Sequence, residues 1–288
     1  MAFWRISMLG SELAVPVRQT PPLLPDVVWS MIGCLMAAPR RTLSRAQLAA
    51  ELWPESRDDD ARNCLSSALW RIRKALPCFD RLIETSSDHF RIAPGASIWI
   101  DVLAFEARAG LVLAQPHRLA SSAERRRLTR GLTLYRGDFL RRRDCDSILI
   151  ERERLRALYL DAGYLLAEAC ARHGEWQTTR TLCAALCAVE PLREDLQRLL
   201  IEAYLETGNR ALALRQYQRL CDCLSRELQV EPMPQSQALA RRIAGTLRED
   251  EIAPPPPREE PGDMRAVLLL ARTQVASTLS LIDAALSH

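Results

Sequence analysis

The sequence predicts a mainly α protein: an N-terminal winged helix-turn-helix followed by an all-α tetratricopeptide-like domain. Three observations predict it. The first hundred residues run in the order strand or hairpin, helix, helix, longer helix, hairpin, and residues from about 101 to 247 are helical throughout. Within that helical region Gly174 and Gly208 occupy matching turns 34 residues apart, the period of a tetratricopeptide unit. The expected divisions are 1–98, 99–248 and a tail, 249–288.

The opening "WRISMLGSEL" alternates and turns at Gly10, which reads as a strand or hairpin. A first helix is expected from Asp26 through "VVWSMIGCLMAA", ended by Pro39 and the arginine pair after it. A second follows in "SRAQLAAELW", where Ser44 and Gln47 fit the S-x-x-Q capping box, Leu48 and Leu52 supply the buried side, and Pro54 stops it. The third, "RDDDARNCLSSALWRIRKAL", opens on three aspartates that favour a helix start by capping and by the helix dipole, and Pro77 closes it. "RLIETSSDHFRIAP" then reads as two short strands around Ser86, Ser87 and Asp88.

In the helical region the first unit reaches Pro191, 17 residues after Gly174. The second reaches Pro232, 24 after Gly208, so its second helix is expected to be longer. Glu151, Arg152, Glu153 and Arg154 are expected to form exposed i, i+3 or i+4 pairs, and Arg193, Glu194 and Asp195 an ordinary helix start. The tail begins with the Pro-rich acidic "REDEIAPPPPREEPGD". Its last segment, from Met264, sets Leu268, Val275, Leu279, Ile282 and Leu286 on one helical face, able to fold back or to bind another chain.

Composition narrows the function. Hydrophobic residues at 48% with charged residues at 26% fit a globular chain. No apolar run is clean enough to span a bilayer and the first residues do not read as a secretory signal, so the expected address is the cytoplasm, with no membrane partner. The nine cysteines lie inside helical patterns and are expected to be buried, reduced thiols. With histidines only at 89, 117, 173 and 288, no local metal set is expected, nor any cofactor. The net charge of +3 decides little, and residues 1–100 hold 12 Arg/Lys against 10 Asp/Glu; a nucleic-acid partner would need its charge placed locally.

The third helix places charge that way. At about 100° per residue, Leu65, Leu69, Ile72 and Leu76 share a narrow buried arc. Asn63, Ser67, Trp70 and Lys74 fall opposite, flanked by Ser66, Arg71 and Arg73. Asparagine can pair bidentately with adenine, arginine and lysine can reach guanine or phosphate, and serine can serve either. The plain alternative is a solvated basic face. Trp70 is expected to pack on the wing or on a partner subunit rather than on a sugar or thymine methyl. The run Asp58, Asp59, Asp60 would repel phosphate unless it points away or only caps the helix.

Taken together, "LSRAQLAAELWPES", "ARNCLSSALWRIRKAL", "YRGDFL" (135–140), "ERERLRALYLDA" (151–162), "PLREDLQRLLIEAYLETGNRALALRQYQRL" (191–220) and "ELQVEPMPQSQAL" (227–239) resemble the SARP-type antibiotic-regulatory activators. These join an OmpR/PhoB-like winged helix to a bacterial transcriptional activator domain, and the likeness spans roughly residues 4–245. It implies a sequence-specific activator that binds double-stranded DNA at promoter repeats and contacts RNA polymerase, with dimerisation left open. Carried over, the recognition-helix positions are Asn63, Ser66, Ser67, Trp70, Arg71 and Lys74, and the wing positions Ser87, His89 and Arg91. The family's wing tip is usually Gly-rich; here it reads "SSDH". A tetratricopeptide-type protein-interaction adaptor is the alternative. An enzyme is not expected, since no nucleophile elbow, Gly-rich phosphate loop or carboxylate pair in a motif occurs.

Overall fold

The structure is a computed structural model that describes residues 3–16, 22, 24–93, 95 and 97–252, with residues 246–252 described by backbone alone. Up to Ala240 the chain is one compact unit, and a second begins at Arg241.

Strand β1 (Trp4–Ser7) pairs antiparallel with β2 (Leu13–Pro16) and parallel with β6 (Ile98–Ile100). Alternation sets Trp4 and Ile6 into the core while Arg5 lies outside, its guanidinium 4.9 Å from the Trp99 ring. Helix α1 (Asp26–Ala37) buries Val28, Trp29, Met31, Ile32 and Leu35. Strand β3 (Thr42–Ser44) leads into α2 (Arg45–Leu52), whose start carries the full capping box: Gln47 N–H donates to Ser44 Oγ at 3.1 Å, and Ser44 N–H to Gln47 Oε1 at 2.9 Å. Leu48 is buried as expected, whereas Leu52 is only half-buried.

Helix α3 (Asp58–Ala75) and the short α4 (Phe79–Leu82) precede the wing, a hairpin of β4 (Ile83–Thr85) and β5 (His89–Ile92). The hairpin sits where the sequence puts it, but β5 also pairs with β3, so the wing is a three-stranded sheet. Strands β3 and β6 and helix α4 are absent from the sequence reading. The aspartates do not cap α3: its N-cap is Arg57, without a side-chain bond, and Asp58, Asp59 and Asp60 form the first turn. Their favourable contribution there is to the helix dipole.

Strand β6 runs straight into α5 (Asp101–Ala114), which joins the two halves of the chain. Asp101, 3% exposed, accepts from the N–H groups of Met8 at 2.9 Å, Leu9 at 3.1 Å and Val102 at 2.8 Å. It thereby ties the end of β1 to the first helix of the helical half. The "YRGDFL" segment closes on the same loop. Leu9 bridges Phe139, Leu140 N–H donates to Met8 O at 3.0 Å, and Gly10 N–H to Asp138 O at 3.2 Å. Tyr135 stacks on Tyr159 with centroids 4.3 Å apart.

Burial, outweighing the three N–H donors, pushes the Asp101 carboxyl up to about 6. An unfolded aspartate titrates near about 3.9. Between those values the folded chain binds the proton that the unfolded chain has lost, so this group's contribution is fully present below about pH 4 and falls as pH rises to 6. We expect Asp101→Asn to flatten that part of the urea-midpoint profile relative to the parent. We expect Asp101→Ala, which strips three buried donors of their acceptor, to lower stability by about 2–4 kcal/mol.

The four-residue run at the start of α7 (Asp146–Arg172) forms one of the expected i, i+3 pairs, Arg154 with Glu151, but on the Glu151 side that pair is buried rather than exposed. Glu151 is 5% exposed, and Arg154 bonds both it, at 2.6 Å, and Glu106 of α5. Arg152 donates to the carbonyls of Phe139, Leu140 and Arg143 at 2.6–2.9 Å. Side chains on one helical turn are neighbours, but burial at the junction decides their partners. Arg143 in turn pairs with Glu12 at 2.7 Å and Asp26 at 2.8 Å.

Helices α7, α8 (Trp176–Val189), α9 (Glu194–Glu206) and α10 (Arg210–Glu227) stack in sequence. The 34-residue repeat is exact in its caps. After α7, Gly174 N–H bonds Ala171 O and Glu175 N–H bonds Cys170 O; after α9, Gly208 bonds Leu205 O and Asn209 bonds Tyr204 O. Both are Schellman turns, and both glycines have positive φ, 73° and 74°. Helix α10 has 18 residues against 14 in α8, as the late Pro232 predicts. Helix α11 (Pro234–Ile252) continues through 248–252, which the sequence reading assigns to the linker; the first interrupting proline is Pro254. The Pro-rich stretch from 253 and the final apolar face lie outside the described residues. Of the nine cysteines, all free, 34, 78, 170, 183 and 187 are buried and the other four half-buried, so the expected burial holds only in part.

Candidate nucleic-acid interface

Helix α3 divides as its periodicity requires. Ala61, Leu65, Ala68, Leu69 and Ile72 are buried, and Leu76 continues the stripe past the helix end. Asn63, Ser66, Ser67, Trp70, Arg71, Arg73 and Lys74 are all exposed. The helix dipole suits this arrangement, with acids in the first turn and Arg73 and Lys74 in the last.

Exposure alone does not make the cations equivalent. Arg73 turns back on its own subdomain, with its Nε 3.2 Å from Asp80 and its guanidinium 5.1 Å from the Phe79 ring. Arg62 lies 3.8 Å from Asp59. Among the described residues no carboxylate pairs with Arg71 or Lys74. Lys74 Nζ instead lies 5.4 Å from the Trp70 ring centroid. Trp70 is 67% exposed, so within the chain it does not pack on the wing. Its ring and the ammonium together form an outward aromatic–cation pair. Ser66 Oγ donates to Arg62 O at 3.0 Å, a back-bond within the helix.

The wing tip is built around Ser86, a residue absent from the sequence-based site. Ser86 Oγ accepts from the N–H groups of Asp88 at 3.3 Å and His89 at 2.9 Å, and lies 2.8 Å from His89 Nδ1. This hydroxyl closes the turn in place of the usual glycines, and the signal in the sequence is a serine two residues before an aspartate. Ser87 and His89 are exposed at the tip. Arg91 is directly opposite Glu84 across the hairpin and is paired with it, so its charge is already met. Arg45, also missed, ties α2 to the wing: its N–H donates to Asp88 O at 2.8 Å and its guanidinium lies 5.2 Å from the Phe90 ring.

The structure therefore brings α3 and the wing into one subdomain, with two cations on the helix face that no carboxylate among the described residues meets, and with Arg73 and Arg91 engaged internally. Among the described residues no group of acids, cysteines and histidines is placed to hold a metal, and no helix is long and apolar enough to cross a membrane.

Residues 100–244 match the family model of the bacterial transcriptional activator domain, half of the chain. The chain belongs to the bacterial transcriptional activator domain family. The domain begins at the end of β6 and takes in every helix from α5 into α11. The regulatory protein AfsR of Streptomyces coelicolor is 29% identical over 231 residues, covering 74% of this chain. The chain spans only about a fifth of that relative's length, 21%. In fold it is similar to Mycobacterium tuberculosis EmbR, solved in complex with a low-affinity phosphopeptide. The TM-score is 0.65 at 23% identity, over 98% of this chain and 72% of that one. With its small β winged region before an all-α activator domain, the chain has the architecture of the SARP-type regulators.

Proposed function

We propose that this bacterial transcriptional activator domain protein is a sequence-specific, DNA-binding activator acting in the cytoplasm. In this reading α3 enters the major groove, the wing touches the flanking backbone, and the helical half contacts RNA polymerase. The observation that carries it is that Arg71 and Lys74, which no carboxylate among the described residues pairs with, lie on the same exposed face as Asn63, Ser66 and Ser67. Those side chains supply the donors and acceptors that read base edges, and the two cations supply phosphate or guanine contacts. Arg73 and Arg91 act as braces that hold the end of α3 and the wing in shape. The junction around Asp101 transmits the bound orientation of the winged helix to the solenoid. The test is affinity for a promoter duplex measured against salt. Counterion release predicts a linear fall of log K with log salt at a slope of several units. A salt-independent affinity contradicts the proposal and favours the adaptor reading, to which the acidic first turn of α3 and the compensated Arg91 lend support.

A further inference from the structure

A cavity of about 560 Å³ opens between α6 (Ser122–Leu132), the end of α7 and the start of α8, far in sequence from α3. The face of α6 that lines it carries Arg125 and Thr129 on one i, i+4 row and Ser122, Arg126 and Arg130 on the next. Glu175 and Thr178 line the opposite wall.

Arg125 is the built part of the site. It is 6% exposed and donates to Leu119 O at 2.9 Å, Ala120 O at 3.0 Å and Glu175 at 2.5 Å, while its buried Nε has no partner. Glu175 is held in turn: the Arg125 guanidinium, outweighing partial burial, keeps its carboxyl below the usual range, with the Cys170 thiol also bonding it. The one acid in the cavity is therefore already satisfied. Arg126 and Arg130 are exposed at the rim, and no carboxylate among the described residues pairs with either. Three arginines against one glutamate leave a net charge of +2. Helix α8 starts at the same place, with no side-chain cap and no acid in its first turn. Its first N–H groups are free to meet an anion.

The geometry points to a binding site for a small phosphate-bearing anion in this cavity. A phosphomonoester carries close to two negative charges at neutral pH and three acceptor oxygens, matching two free guanidiniums, the hydroxyls of Ser122 and Thr178 and the start of α8. The volume lies within the range of small-molecule sites, and its recess between helices suits a compact ligand better than a continuous backbone. The site is on the helical half, so it goes beyond the DNA-binding proposal and places an effector input on the activator domain.

The experiment is a calorimetric titration of the full chain with pyrophosphate in chloride buffer. The expected result is saturable one-to-one binding, weakened at least tenfold in Arg126→Gln/Arg130→Gln with an unchanged melting temperature. Thr178→Glu gives a second reading: an acid in the first turn of α8 favours the helix but repels the anion, so binding falls while the fold holds. Arg71→Glu/Lys74→Glu leaves pyrophosphate affinity as it was, which separates this site from α3. Absence of saturable binding, or binding indifferent to the Arg126/Arg130 and Thr178 changes, overturns the proposal. So does an equal loss of random-sequence duplex affinity in the Arg126/Arg130 variant, which assigns the phosphate to a nucleic-acid backbone.

Discussion

Arg71→Glu together with Lys74→Glu is expected to weaken promoter binding by at least an order of magnitude while leaving the fold intact. Both side chains are exposed and neither is held by a carboxylate among the described residues, so reversal removes no intramolecular contact beyond the Lys74–Trp70 pair. Each lost base or phosphate contact weakens binding by roughly 1–3 kcal/mol, so the two together cost about 2–6 kcal/mol, roughly 30- to 20,000-fold. The slope of log affinity against log salt should fall by about 2. The neighbouring change Arg73→Gln serves as the contrast. Arg73 already bonds Asp80 and covers Phe79, so its loss is expected to affect stability more than DNA affinity. Equal duplex affinity for the parent and the double variant, by fluorescence anisotropy at two salt concentrations, sinks the assignment of α3.

The second large effect is expected at the junction of the two halves. Gly10 has φ of +82°, and a Cβ there would lie 2.6 Å from Arg136 C, 2.8 Å from Arg136 O and 2.8 Å from Gly137 N. All three are backbone atoms, so no side chain can swing aside. Alanine must also adopt a left-handed conformation, which alone costs on the order of 1 kcal/mol. Gly10→Ala is therefore expected to lower unfolding stability by about 3 kcal/mol or more, or to part the Met8–Gly10 loop from residues 138–140. Urea unfolding followed by tryptophan fluorescence measures the first, and new proteolytic cleavage between residues 134 and 145 the second. A loss below about 1 kcal/mol with no new cleavage contradicts the close approach.

The helices were legible because their signals are local. Leu65, Leu69 and Ile72 recur at helical spacing, Ser44 and Gln47 stand three apart, and Gly174 and Gly208 each end a helix in the same cap. The exposed face of α3 followed from the same periodicity. Strands β3 and β6 were not legible: at three residues each they are too short for an alternating pattern, and their partners are 49 and 94 residues away at Arg91 and Trp4. The engagement of Arg91 depends on hairpin register, and that of Arg73 on a turn after Pro77, neither of which spacing alone fixes. Periodicity also sets Trp70 opposite the buried stripe, but the distance from there to the wing is tertiary, and within the chain the ring stays 67% exposed.

Selection of bound sequences from a random duplex pool, at two salt concentrations with the purified chain, decides whether α3 reads DNA sequence. One enriched motif arranged as a repeat is expected, recovered less well at the higher salt and much less well in Arg71→Glu/Lys74→Glu. A folded chain that enriches no motif at either salt contradicts it and moves the function to the protein-binding surfaces of the solenoid.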